Sequence, residues 1–221
     1  MPKVSRRGQA EVLSQDQLAQ LWAELDYPHT LITRLAYYTG SRISEVCSLR
    51  AEDIRAGQMV IHQSKTERTK TVVMVSPLER AIGQVALPKV GYLFPAASWT
   101  KATVKQYRIQ RQDGSYRFEQ VGERPPRPHI SPRAVDKALR KTCDLLGFEG
   151  VSTHTFRRSL ATHLYDAGVP LRQIMAITGH ASLASLTSYL NLEQRAAGDA
   201  LLLFFGGVAG AMLDCLRGEE G

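Results

Sequence analysis

The sequence predicts an α+β domain, mainly helical, with a small antiparallel β-sheet. Three observations predict it. Helix punctuation recurs along the chain, with Pro28, Pro77 and Pro132 placed to open helices and Gly40, Gly147, Gly168 and Gly179 placed to stop them. β-branched residues gather in Met59–His62 and Thr69–Val75, across the polar tip Ser64–Arg68, which is the pattern of a β-hairpin. No internal repeat or low-complexity tract interrupts this order.

Ser14, with Gln17 behind it, forms a capping box. It opens a helix to about Leu25, with Leu18, Leu21, Trp22 and Leu25 on one face. Pro28 begins a second helix to Tyr38, ended by Gly40, and a short helix is expected over Ser41–Leu49. After the hairpin, Pro77 begins a helix to about Ala86, and Pro88 and Pro95 bracket irregular chain. Asp113-Gly114 predicts a second hairpin within Tyr107–Val121. Pro125, Pro126 and Pro128 stiffen the linker that follows. Ser131-Pro132 opens a strong amphipathic helix to Leu146. Further helices are expected over His154–Ala167, Leu171–Thr178, Ser182–Leu190 and, very apolar, Glu193–Phe205.

The 221 residues suffice for one sizeable domain. No apolar run reaches the roughly 18 residues that span a bilayer. Met1–Gln9 is basic but leads into no apolar segment, so it reads as a flexible arm rather than a signal peptide, and a cytoplasmic location is expected. Cys47, Cys143 and Cys215 show no metal spacing and read as small buried hydrophobes. The net charge is +7, and it is clustered. Between Lys101 and Leu145 stand 11 Lys/Arg against 5 acids, so 6 of the 7 excess charges lie there. Such clustering is the footprint of a polyanion-binding protein, although charge alone leaves open a solvated surface without a partner.

Singly, the candidate residues say little. Arg42 and Glu45 at helical i,i+3 spacing read as a surface ion pair. His154 and Arg157 read as structural, and the adjoining Arg158 as facing solvent. Lys65 suits a soluble hairpin tip, His180 a cap, and Tyr189 a core or interface. The set changes the weighing. Phosphoryl transfer builds charge on non-bridging oxygens, and forked guanidiniums stabilise that charge bidentately. A tyrosine with an ordinary pKa near 10 attacks only when a base or a positive field helps its proton leave. A departing alkoxide needs a proton, which a lysine on a loop can supply. Glu52-Asp53 is the only adjacent acidic pair before Glu219-Glu220, which fits chemistry without metal.

Here the chain resembles the tyrosine recombinases (phage integrase family). Thr39-Gly-Ser-Arg-Ile-Ser-Glu45 resembles the segment with that family's first catalytic arginine and acidic neighbour. Gln63-Ser-Lys-Thr66 resembles the segment carrying its lysine, His154-Thr-Phe-Arg157 its HxxR helix, and Gly179-His180 with Tyr189 its second histidine and nucleophile. The resemblance implies a tyrosine-recombinase catalytic-domain-like fold over residues 13–192, behind a basic arm over 1–12 and with a basic insertion at about 101–130. It implies that Tyr189 attacks a DNA phosphodiester to give a 3′-phosphotyrosyl link. Arg42 and Arg157 would hold the phosphate, His154 and His180 would assist proton movement, Lys65 would protonate the leaving oxygen and Glu45 would position neighbours. No cofactor, metal or ATP is expected. The expected partner is double-stranded DNA, bound as a homotetramer on two sites by a chain that is otherwise monomeric or weakly associated, with no membrane involved.

Lys101, Lys105, Arg108, Arg111, Arg133 and Lys137 are the candidate DNA contacts. The tail 193–221 is expected to dock on its own domain or on a neighbouring protomer. The pattern departs from the family at Thr178, where an apolar residue is usual, and at Leu190-Asn191, where a histidine two residues after the tyrosine is usual. The core-binding domain that normally precedes the catalytic one is not recognised before Leu13. A type IB topoisomerase-like relaxing enzyme and a catalytically silent DNA-binding regulator of the same fold are the alternatives.

Overall fold

The computed structural model describes residues 9–63, 68–96, 103–124 and 128–190, the strand segments 103–108 and 118–124 by backbone alone. The chain divides into two units, Met1–Leu160 and Ala161–Gly221.

In the first unit, α1 (Gln15–Glu24) opens on the predicted capping box. The Ser14 hydroxyl accepts from the Gln17 backbone N–H at 3.2 Å, and the Gln17 side chain accepts from the Ser14 N–H at 2.9 Å. Helix α2 (His29–Thr39) stops at Gly40, whose φ of 63° is a left-handed conformation that glycine adopts without a Cβ clash. Helix α3 is shorter than expected, Ile43–Cys47, because Arg42 is its N-cap with extended backbone (φ −75°, ψ 147°). A single 3-10 turn, Ala51–Asp53, leads to strand β1 (Ile54–Arg55). Strands β2 (Gln58–Gln63) and β3 (Arg68–Val73) form the predicted hairpin, and β1 adds antiparallel beside β2. The register pairs Ile61 with Lys70 and Gln63 with Arg68. The β1–β2 turn takes Ala56 and Gly57 through positive φ (46° and 73°), the twist that matches a tight hairpin.

Helix α4 (Ser76–Gly83) ends earlier than the sequence suggested. Strands β4 (Thr103–Gln110) and β5 (Tyr116–Arg124) form a separate two-stranded ribbon, longer than predicted, with an irregularity between Lys105 and Gln106. Its tip turns at Gly114 (φ 81°), where the Asp113 carboxylate accepts from the Ser115 N–H at 2.8 Å and hydroxyl at 2.6 Å. Helix α5 (Pro132–Leu146) is capped by Ser131 and stopped by Gly147, as predicted. Helix α6 (Thr155–Asp166) begins one residue after His154, so His154 precedes the helix rather than lying on it.

The core of this unit gathers Leu18, Leu21, Ile32, Leu35, Val46, Met59, Ile61, Leu78, Leu139 and Phe156, all essentially inaccessible. Burying each such side chain contributes about 1.5–3 kcal/mol, so the core anchors α1 to α5, the sheet and the start of α6 together. Cys47 and Cys143 are buried free thiols, their pKa pushed up to about 12 and about 11, first of all by burial. In the second unit, α7 (Leu171–Thr178) and α8 (Leu183–Leu190) pack around Ala161, Ile174, Leu186 and Leu190. No described helix is long and apolar enough to cross a membrane. The predicted helix Glu193–Phe205 and Cys215 lie outside the described residues.

Candidate active site

Two arginines and a lysine meet at one turn of the first unit. Helix α2 ends with its carbonyls pointing past Gly40, where the negative end of the helix dipole lies. The Arg157 guanidinium, from α6, donates to the Gly40 carbonyl at 3.1 Å. The Lys70 ammonium, from β3, donates to the adjacent Thr39 carbonyl at 2.6 Å. The same turn leads directly into Arg42. Thus the C-terminal end of α2 collects cations from elements far apart in sequence.

Glu45 fixes Arg42 from both ends. Its carboxylate accepts from the Arg42 backbone N–H at 2.9 Å and from the guanidinium at 2.7 Å. The reciprocal half of a capping box is absent because an arginine side chain can only donate. The expected surface ion pair is therefore something else. Glu45 is 2% exposed, while the Arg42 side chain keeps 27% of its surface open and can meet a ligand. Two charge-assisted bonds to one buried carboxylate set the guanidinium's direction.

Lys70 was not among the sequence candidates. Its pKa falls from 10.5 to about 8, first through burial and then through the Arg157 cation; Glu45 opposes the shift, and Arg42 adds to it. The signal was the two-residue alternation of β3, in which Lys70 and Val72 face inward together while Thr69, Thr71 and Val73 are exposed. Arg158 does not face solvent as expected. It is 8% exposed, and its guanidinium donates to the Ala10 carbonyl. The neighbouring Ser159 hydroxyl accepts from the Leu13 N–H at 2.9 Å, so α6 ties down the strip entering α1. His154 is exposed; its carbonyl accepts from the Arg158 N–H at 3.1 Å.

In the second unit, Gly179 ends α7 in the left-handed conformation (φ 68°), and His180 follows immediately. His180 Nδ1 lies 2.7 Å from the Thr178 hydroxyl. The imidazole and the Tyr189 ring are in contact, centroids 4.9 Å apart and tilted by 53°. Tyr189 is half-buried near the end of α8, beside the core formed by Ile174 and Leu186. Among the described residues no group of His, Cys, Asp and Glu could hold a metal ion.

Lys65 and Lys101 lie outside the described residues. Lys105 and Arg108 fall on β4. Arg111 is exposed at the ribbon tip, and Arg133 and Lys137 are exposed one turn apart on α5.

This architecture is that of a tyrosine-recombinase catalytic domain. It aligns with the crystal structure of XerA recombinase over 90% of this chain and 66% of that one, with a TM-score of 0.61 and 19% identity. It aligns with the catalytic domain of bacteriophage HP1 integrase over 83% and 88% of the two chains, with a TM-score of 0.56 and 19% identity. The chain belongs to the phage integrase family, whose model matches residues 11–195. A putative integrase/recombinase, y4qK, of Sinorhizobium fredii is 31% identical over 189 residues, 82% of this chain and 52% of the relative. Tyrosine recombinase XerA of Pyrococcus furiosus is 28% identical over 167 residues, covering 75% and 50% of the two. The chain thus spans about half the length of the curated relatives it matches.

Proposed function

We propose that residues 13–192 are the catalytic domain of a site-specific DNA recombinase that cuts and rejoins DNA through a 3′-phosphotyrosyl intermediate, using neither metal nor ATP. The observation that carries this reading is the turn Thr39–Arg42. There Glu45 aims the Arg42 guanidinium, and that of Arg157, 117 positions beyond Gly40, is bonded to the Gly40 carbonyl. Cations gathered at a fixed turn suit the equatorial oxygens of a pentavalent phosphorus.

Tyr189 attacks the scissile phosphorus, and the P–O5′ bond breaks. The Lys65 ammonium gives its proton to the departing O5′. Arg42 and Arg157 hold the non-bridging oxygens, and Lys70 adds positive field from beneath the turn. His154 and His180 serve hydrogen bonding and proton movement. The linkage stores the bond energy, so a 5′-hydroxyl reverses the step without ATP. The partner is double-stranded DNA, and exchange takes four protomers on two duplexes. A structural neighbour of 17% identity and TM-score 0.59, XerH, was itself solved bound to its palindromic difH substrate.

The test is covalent trapping on nicked DNA carrying a candidate site, with EDTA present. An adduct formed by the parent chain and missing from Tyr189→Phe supports the reading. An adduct that survives Tyr189→Phe, or that EDTA abolishes, refutes it. For the basic surface, replacing Arg133 and Lys137 by alanine should weaken DNA binding at every sequence. The salt dependence should become shallower by about 0.9 for each phosphate no longer neutralised. Unchanged affinity and slope would remove α5 from the interface.

A further inference from the structure

Thr178 Oγ1 makes two short polar contacts, one to the Ile174 carbonyl at 2.6 Å and one to His180 Nδ1 at 2.7 Å. A threonine hydroxyl has a single proton. The carbonyl can only accept, so at 2.6 Å the hydroxyl proton must point at it; otherwise two oxygen lone pairs would face each other inside hydrogen-bonding distance. The hydroxyl oxygen then has only lone pairs left for the imidazole, and Nδ1 must carry the hydrogen. Thr178 is fully buried, so water does not offer the hydroxyl another partner.

From this geometry we infer that Thr178 is a positioning residue that locks neutral His180 as the Nδ1–H tautomer, so that the ring's basic lone pair lies on Nε2. This rests on the recombinase reading above and deepens it. His180 becomes the acceptor of the Tyr189 phenolic proton, rather than a neutral donor to the phosphate. In the balanced step, the Tyr189 O–H proton moves to Nε2 as the oxygen bonds to phosphorus, and O5′ leaves with the Lys65 proton. The imidazolium so formed keeps its Nδ1–H bond to Thr178. It returns the proton when the tyrosine is expelled on rejoining. The His180 and Tyr189 rings are in contact, with centroids 4.9 Å apart, so the proton has a short way to travel once the phenol turns toward Nε2. An apolar residue at position 178 could not make this selection, so the departure from the family pattern has a chemical consequence.

The tautomer is directly measurable, independently of any DNA substrate. Long-range 15N–1H correlation spectra of the histidine-labelled chain, at a pH where His180 is neutral, should show a protonated Nδ1 and an unprotonated Nε2. A predominant Nε2–H form overturns the inference outright. Thr178→Val, nearly the same shape without the hydroxyl, should yield a mixture of tautomers and at least a tenfold slower single-turnover cleavage. Thr178→Ser should restore both. A valine variant that keeps the pure Nδ1–H form, or that cleaves at the parent rate, contradicts the assignment. The parent chain could show the expected tautomer yet never cleave DNA. That result would sink the recombinase reading and with it the proton-acceptor role, while the assignment of Thr178 to the tautomer would stand.

Discussion

The two ends that matter most, those of α2 and α7, are built alike and used differently. Each closes with threonine then glycine, Thr39-Gly40 and Thr178-Gly179, and each glycine is left-handed. In each the threonine hydroxyl folds back to the carbonyl four residues earlier, Leu35 or Ile174, at 2.6 Å. At α2 the exposed carbonyls then take cations, Lys70 at Thr39 and Arg157 at Gly40. At α7 the hydroxyl oxygen itself is the partner, and it meets a histidine. One terminator therefore gathers charge and the other selects a tautomer. The divergence is decided by what the following residues and distant strands bring to it.

The most disruptive way to probe the charged terminator is Glu45→Ala. It removes the carboxylate that aims Arg42 and offsets the cations around it, together with the N-cap acceptor of α3. Breaking a buried pair usually costs about 3–5 kcal/mol, and because Arg42 is partly open the loss here is expected at the lower end, about 3 kcal/mol. Chemical denaturation should show that loss, and cleavage should fall with it. A variant as stable and active as the parent would mean that the terminator is held by the carbonyls alone.

A gentler probe is pH. The Lys70 pKa in the folded chain is about 8, against an ordinary value of 10.5. Below pH 8 the ammonium is charged both folded and unfolded, so its burial cost is present in full. Between about 8 and 10.5 the folded state releases its proton before the unfolded one, and stability gained at Lys70 rises with pH. Lys70→Met should lack this rise, whereas parental cleavage should weaken across the same window as the positive charge disappears. Parallel stability curves for parent and variant would show that Lys70 is not the titrating group.

Local signals were legible in the sequence, and long-range ones were not. The Ser14–Gln17 box and the stops at Gly40, Gly147 and Gly179 act within a turn, and the residues themselves announce them. Strand β1 escaped because two residues cannot display an alternation. Helix α3 read too long because Glu45 reaches back and makes Arg42 a cap. The site residues stood out as types in order, but their partnerships did not. The Arg157–Gly40 bond, Lys70 under Thr39 and Arg158 on Ala10 all depend on tertiary packing. Thr178 was visible only as a departure, because nothing in its letter says that a histidine ring turns back onto it.

The most direct test of the central claim is to locate the covalent bond. Trapped protein–DNA adduct would be digested with protease and nuclease, and the nucleotide-bearing peptide would be sequenced by mass spectrometry. With trypsin as the protease, the nucleotide is expected on the Tyr189 side chain, in the peptide Gln173–Arg195. A nucleotide on any other residue would contradict it.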